Sequence, residues 1–217
     1  MKIKSITILI CLTVFACGQS KTIKDTPKET ATHKKGVYPI AFYNVENLFD
    51  TVEDKSIYDS EFTPNGAKKW TTDKYKKKLS NIAFVISKLG TDENKDGACI
   101  VGLSEIENEK VLKDLLATPP INKKGYKYVH FDSPDPRGID VALIYNPDYF
   151  NFISKTKYTY GFRTGSKKRQ RDHLLVSGTI GGEPLHIIVN HWASRQNKDA
   201  AAFREVSALN CKHITDS

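Results

Sequence analysis

Four polar side chains stand where apolar runs begin or end, and their types suit one chemistry. Glu105 closes the run Cys99-Ile100-Val101-Gly102-Leu103-Ser104. Asn44 lies in Ile40-Ala41-Phe42-Tyr43-Asn44, and Arg137 precedes Gly138-Ile139-Asp140-Val141-Ala142-Leu143-Ile144-Tyr145. His191 follows Leu185-His186-Ile187-Ile188-Val189-Asn190. A carboxylate at a strand end holds a hard divalent cation at the rim of a sheet. A guanidinium presents a planar fork of donors to two phosphate oxygens. An amide and an imidazole supply the remaining donors. Brought together from separate strand ends, these groups would form one phosphate-and-metal site. Spacing along the chain does not establish that they meet, so their convergence is an expectation for the fold to test.

The other polar groups have plainer readings. His33, His130, His173, His186 and His213 are read as structural, and Glu107 and Glu109 as surface or helix-start charges. Asn47 and Asn190 fit turns or strand ends, and Asp140 either orients Arg137 or caps a strand. Asp92-Glu93-Asn94-Lys95-Asp96-Gly97 imitates the start of a calcium loop. Its twelfth position is Leu103 instead of glutamate, and a strand follows instead of a helix, so a polar turn is the reading. Lys167-Lys168-Arg169 with Arg171 forms a basic loop, read as a solvated charge run, with tracking of a nucleic-acid backbone as the alternative. Lys74, Lys76, Lys77 and Lys78 fill the solvated side of a helix.

The elements that must position the four groups follow from periodicity. Strands are expected over 40–46, 99–104, 126–132, 139–146, 152–160, 173–180 and 184–190, with Ile180-Gly181-Gly182-Glu183 as a hairpin turn. Residues 51–70 read as irregular. A helix then starts at a Thr72 or Asp73 cap and ends at Gly90, with Tyr75, Leu79, Ile82, Ile86 and Leu89 on its apolar face. A short helix spans Glu109 to Leu116 before Pro119-Pro120. A last helix begins near Asp199 and buries Phe203, Val206 and Leu209. Alternating strands and helices followed by consecutive strands suit a mixed α/β sandwich.

The N-terminus is of another kind. Lys2 and Lys4 precede an apolar stretch from Ile6 to Phe15, followed by Ala16-Cys17-Gly18. This has the form of a signal peptide over residues 1–16 and is short for a membrane span. Val14-Phe15-Ala16-Cys17 resembles a bacterial lipobox, so Cys17 is expected to carry lipid and to anchor an exported lipoprotein in the cell envelope. Residues 17–38 then form a polar tether, and 39–217 form the folded domain. The formal charge is +8, and removing residues 1–16 with Lys2 and Lys4 leaves +6. That excess favours anionic partners and is also ordinary for a soluble surface. Of four cysteines, Cys99 and Cys211 remain in the domain, too few for a disulfide framework or a zinc site. No feature points to an obligate protein partner.

The segments Phe42-Tyr43-Asn44-Val45-Glu46-Asn47-Leu48-Phe49-Asp50, Gly102-Leu103-Ser104-Glu105-Ile106-Glu107-Asn108, Asp135-Pro136-Arg137-Gly138-Ile139-Asp140-Val141-Ala142 and Val189-Asn190-His191-Trp192-Ala193-Ser194-Arg195 occur in that order. Together they resemble the endonuclease/exonuclease/phosphatase superfamily, and its secreted bacterial members most closely. The resemblance implies a four-layer α/β/β/α sandwich and hydrolysis of phosphate esters with a divalent metal, Mg2+ or Mn2+. It implies that Glu105 binds the metal, with Asn44 beside it. His191 would contact the scissile phosphate, and Arg137 would stand before the strand that leads to it. The expected substrate is nucleic acid, cut by an endonuclease. The alternatives are a phosphatase, a lipid phosphodiesterase, or a fragment without catalysis. The resemblance also implies an Asp-x-Asn stretch and a terminal Asp-His pair, and neither has a counterpart in residues 1–217. Asp172-His173 comes too early and opens a strand. The expectation is therefore an N-terminal portion of such a domain, incomplete on its C-terminal side and with little turnover of its own.

Overall fold

The computed structural model describes residues 36–159, 171–195 and 200–217. The expected signal segment, Cys17, most of the tether, and Lys167-Lys168-Arg169 lie outside the described residues. Among those described, no helix is long and apolar enough to cross a membrane.

The apolar run before Glu105 is unbroken because its strand is covered on both sides. β2 (Ile100–Ile106) pairs in parallel with β1 (Ile40–Leu48) and antiparallel with β4 (Asp140–Tyr145). β3 (Lys127–His130) completes a four-stranded sheet in the order β1-β2-β4-β3. The parallel β1–β2 pair needs a crossover, supplied by α1 (Thr72–Lys88). Val101, Leu103, Ala142 and Ile144 face α1 and α2 (Glu109–Leu116), and form one core with Leu79, Ile82, Ile86, Val111, Leu112 and Leu115. Ile100, Val141, Leu143 and Tyr145 point the other way, into a second core. Strand alternation thus serves two cores from one sheet.

That second core lies against the antiparallel sheet β5 (Phe150–Tyr158), β6 (His173–Ile180) and β7 (Glu183–Val189), through Phe150, Leu174, Val176, Ile187 and Val189. The layers are helices, sheet and sheet, an α/β sandwich as expected. α3 (Ala200–Asp216) touches the start of β6, where Cys211 Sγ lies 3.2 Å from His173 Nδ1. Gly102 sits where the sheets close: a Cβ there would come within 2.5 Å of the Phe42 ring and 3.4 Å of Val189.

Two local expectations need correction, the α1 cap and the buried face of α3. The α1 cap is Thr71, one residue early, whose hydroxyl oxygen accepts from the Lys74 N–H. Asn108 caps α2 by accepting from the Val111 N–H. In α3 the buried side chains are Phe203, Ser207 and Ile214, whereas Leu209 is 62% exposed. The face that packs therefore includes a serine, whose hydroxyl donates to the Phe203 carbonyl and so tolerates burial.

Candidate active site

β1 and β2 both break step at the same end. The β1–β2 register shifts between Asn44 and Leu48, and the β2–β4 register shifts between Ser104 and Ile106. On β2 the extra residue is Glu105, held at φ 66°; on β1 Glu46 and Asn47 sit at φ 56° and 62°. Among the described residues only Lys69 joins them as a non-glycine with positive φ. Each such residue stores roughly 1–3 kcal/mol of strain. The displacement shows in the core. Leu103 and Ile106, and likewise Val45 and Leu48, reach the same core although three positions apart, where an unbroken strand would present every second residue. Between them the bulges turn Glu105 off the helix-facing side.

What the bulges bring together is three of the four expected groups. Asn44 donates from Nδ2 to Glu105 Oε1 at 3.2 Å, and His191 Nε2 stands 3.4 Å from that oxygen. Asn44 is fixed in turn, its Oδ1 accepting the Glu46 N–H at 2.8 Å. The Glu105 and His191 side chains are only 15% and 18% exposed, so the cluster is a shallow recess at the sheet rim.

Arg137 is placed differently. Its backbone N–H donates to Asp135 Oδ1 at 2.9 Å, and its Nε lies 3.6 Å from the same oxygen. The side chain is half exposed at the rim. Asp135 also holds Arg171, whose Nη1 donates to Asp135 Oδ2 at 2.8 Å. Arg171 further donates from Nε to the His191 carbonyl at 2.9 Å and from Nη2 to the Trp192 carbonyl. Arg171 is therefore not part of a solvated basic loop, as its neighbours in sequence suggested. It is buried, and it fastens the His191 segment to the loop that carries Arg137. Burial, then the charges of Arg171 and Arg137, push His191 down to about 4, against the opposing pull of Glu105 and Asp135. The imidazole is neutral at pH 7. Its Nδ1 is buried and has no hydrogen-bond partner among the described residues.

Two carboxylates depart from expectation. Glu107 is 5% exposed, not a surface charge, and its Oε2 accepts the Asp50 N–H at 2.6 Å. Burial pushes its carboxyl up to about 7, with the nearby charges of Asp50 and Asp59 acting the same way. Asp140 does not orient Arg137. Its Oδ2 lies 3.1 Å from His130 Nε2, and its Oδ1 accepts the Ser133 N–H at 2.8 Å. His130, Asp132 and Asp140 place ligand-type atoms within 4.8 Å of one another. The Asp140 oxygens are already engaged by His130 and Ser133, so this group anchors the 131–139 loop.

The donor set at Glu105 fits a magnesium-like ion. Such an ion keeps several waters and takes one or two carboxylates together with substrate oxygens. Glu105 supplies the carboxylate. Asn44, expected beside the metal, has its NH2 on Glu105 and its oxygen on the Glu46 N–H. The sequence held no signal for Arg171 and Asp135, which lie 36 positions apart.

Comparison with known proteins agrees with this architecture. A model of the Endonuclease/Exonuclease/phosphatase family matches residues 39–217. No curated protein sequence matches the chain. Among solved structures, an endonuclease/exonuclease/phosphatase family protein from Bacteroides thetaiotaomicron is 16% identical, with a TM-score of 0.50 over 82% of this chain and 57% of that one. A mannosyl-6-phosphatase from Bacteroides thetaiotaomicron VPI-5482 is 17% identical, with a TM-score of 0.50 over 83% and 60%. The human Nocturnin catalytic domain with bound sulfate is 18% identical, with a TM-score of 0.46 over 64% and 52%. The chain spans 52% to 60% of the length of these structures. For the two from Bacteroides thetaiotaomicron the likeness is one of fold.

Two predictions arise from the strained corner and the buried acid. Glu105→Gly and Glu105→Ala both remove the carboxylate, but only glycine accepts φ 66° without strain. The glycine variant should be more stable than the alanine variant by about 1 kcal/mol in urea unfolding; equal or reversed stabilities would remove the strain assignment. Glu107 has its folded pKa raised from 4.5 to about 7. Its contribution is therefore fully present below about pH 4.5 and is lost as pH rises through about 7. Melting temperatures of wild type and Glu107→Gln measured from pH 5 to pH 8 should show the wild type losing stability relative to the variant; parallel curves would contradict this.

Proposed function

Since the chain belongs to the endonuclease/exonuclease/phosphatase family, whose members hydrolyse phosphate esters, we propose that its rim cluster serves metal-dependent cleavage of nucleic-acid phosphodiester bonds. The observation that carries this reading is the meeting of Glu105, Asn44 and His191 from three separate strand ends. Glu105 would hold Mg2+ or Mn2+, which when bound polarises the phosphoryl group and offsets its growing negative charge. Asn44 keeps the carboxylate aimed by its hydrogen bond. His191, neutral and held through its own carbonyl by Arg171, has Nε2 beside the Glu105 carboxylate, from where it would donate to a phosphoryl oxygen. Arg137 stands on Asp135 at the rim, a guanidinium available to the outer phosphate oxygens. Donors fixed in this way before the reaction contribute most of their effect at the transition state.

The Val14-Phe15-Ala16-Cys17 segment supports a further part of the reading, an exported enzyme tethered to a bacterial membrane by lipid on Cys17. Expressed in a bacterial host, wild type should fractionate with membranes and Cys17→Ser should not. Recovery of both in the same fraction would refute the anchor.

The site itself is tested by binding and turnover together. Titrating Mn2+ by electron paramagnetic resonance should reveal a bound ion in wild type that Glu105→Gln loses. Any hydrolysis of plasmid DNA should need Mg2+ and should fall by about 100-fold or more in His191→Ala. An Mn2+ site indifferent to Glu105→Gln would end the proposal.

A further inference from the structure

Asp135 is buried, and its two oxygens serve different parts of the rim. Oδ1 accepts the Arg137 N–H at 2.9 Å and lies 3.6 Å from Arg137 Nε. Oδ2 accepts from Arg171 Nη1 at 2.8 Å. The backbone turns tightly here, since the Gly138 N–H donates to the Asp135 carbonyl at 2.9 Å. Asp135-Pro136-Arg137-Gly138 is a favourable order for such a turn. Proline presets φ at its second position, and an opening aspartate accepts the N–H two residues on. Gly138 is required, because its φ is 64° and a Cβ there would come within 2.2 Å of Ile57. The Arg137 backbone is thus fixed while its side chain stays half exposed.

From Asp135 the hold passes to the imidazole. Arg171 also donates from Nε to the His191 carbonyl at 2.9 Å and from Nη2 to the Trp192 carbonyl at 3.4 Å. The His191 ring in turn has Nε2 3.4 Å from Glu105 Oε1. Arg137, Asp135, Arg171, His191 and Glu105 therefore form one unbroken series of contacts, none longer than 3.6 Å. The charges of Arg171, Arg137 and Asp135 all reach the His191 ring, which places the half-exposed guanidinium near the imidazole. The Asp135 carboxylate lies between two guanidiniums, so one positive charge there is unmatched. That excess suits an anion.

We propose that Asp135 is a positioning residue, which holds Arg137 and His191 at a fixed spacing so that both engage one phosphate group. This deepens the proposed function and rests on it, since that reading assigns phosphate contacts to Arg137 and His191. The gain is orientation. A free arginine side chain has many rotamers, and one steadied on a carboxylate loses less freedom when it takes a phosphate. A histidine held through its own carbonyl is likewise set before the ligand arrives. A purely structural pair, tying two loops and nothing more, leaves the contributions of Arg137 and of the pair independent. A positioning role makes them non-additive, because removing the pair also removes what makes Arg137 effective.

The test titrates inorganic phosphate into the full chain in Mg2+, read by calorimetry. Removing Asp135 alone would strand the buried Arg171 charge. The working variant is therefore Asp135→Asn, Arg171→Met, which leaves no buried charge and keeps an oxygen for the Arg137 N–H. This pair variant should bind phosphate about tenfold more weakly than wild type, with its Mn2+ spectrum unchanged. Arg137→Ala should weaken binding about fivefold in wild type and by less than about twofold in the pair variant. A second measurement needs no substitution. In heteronuclear NMR spectra of wild type, the Arg171 Nε–H signal should shift on phosphate addition with the same midpoint as that of Arg137. Equal losses from Arg137→Ala in both backgrounds, wild-type phosphate affinity in the pair variant, and loss of its Mn2+ spectrum together with phosphate would each overturn the inference. So would absence of phosphate binding by wild type, or an Arg171 signal indifferent to phosphate. The outcomes separate it from the proposed function. An Mn2+ site indifferent to Glu105→Gln, with the phosphate losses non-additive, would sink the catalytic reading and leave the positioning role. Additive losses with the Mn2+ site intact would sink the positioning role alone.

Discussion

Two adjacent β-bulges control everything of chemical interest in this fold. An unbroken β2 would send Glu105 toward the helices, in line with Leu103, and into the first core. A bare carboxylate there would be costly. The left-handed turn at Glu105 releases it to the rim and returns Ile106 to the core. β1 repeats the manoeuvre at Glu46 and Asn47, which keeps Asn44 in reach of Glu105 while Leu48 stays packed. The strain is tolerated because each bulge is pinned on both sides: Val45 and Leu48 flank one, and Leu103 and Ile106 the other. The Lys78 ammonium adds a clamp on the Glu46 carbonyl. Strain concentrated at a site and held by packing around it is a usual form of preorganisation.

The imidazole depends on a second device. Arg171 and Asp135 form a buried, hydrogen-bonded ion pair, and the remaining Arg171 donors go to carbonyls of residues 191 and 192. Pairs of this type rarely add net stability, yet removal of one partner leaves a stranded charge costing about 3–5 kcal/mol. The pair joins the loop before β4 to the segment after β7, so it ties the two sheets together at the rim. Burial of the ring is the main reason that His191 stays neutral, and the guanidinium of Arg171 beside it disfavours the imidazolium further.

The strands were legible because hydrophobic runs in β2 and β4 are long and clean, and the helices because their apolar faces recur at three and four. Glu105, Asn44 and His191 were found for a related reason: each is a polar group at an end of an apolar run, where a sheet rim must be. What escaped was non-local. Glu107 looked like a surface charge, because only the fold covers it with the segment around Asp50. Arg171 sat among basic neighbours, and its acid partner lies in another loop. The bulges escaped as well. Glutamate and asparagine at 46, 47 and 105 give no glycine signal for positive φ, and β1 was therefore ended too soon. Leu209 was misplaced because α3 buries Ser207 in its stead, a substitution that apolar periodicity cannot reveal.

The two flanks of the rim cluster differ in sign, and that difference bears on how a polyanion would lie. On the β3–β4 side a pocket is lined by Asp54, Glu107, Asp132 and Asp140 together with neutral Asn108, Ser56 and Ser133. On the α1–β1 side the lining carries three lysines against two acids. Unlike charges attract and like charges repel over about 10 Å at moderate salt. Under the proposed function, a polyanion with one phosphate at Glu105 would be repelled from the acidic side. The Glu107 carboxyl, ionised only above about pH 7, strengthens the repulsion as pH rises.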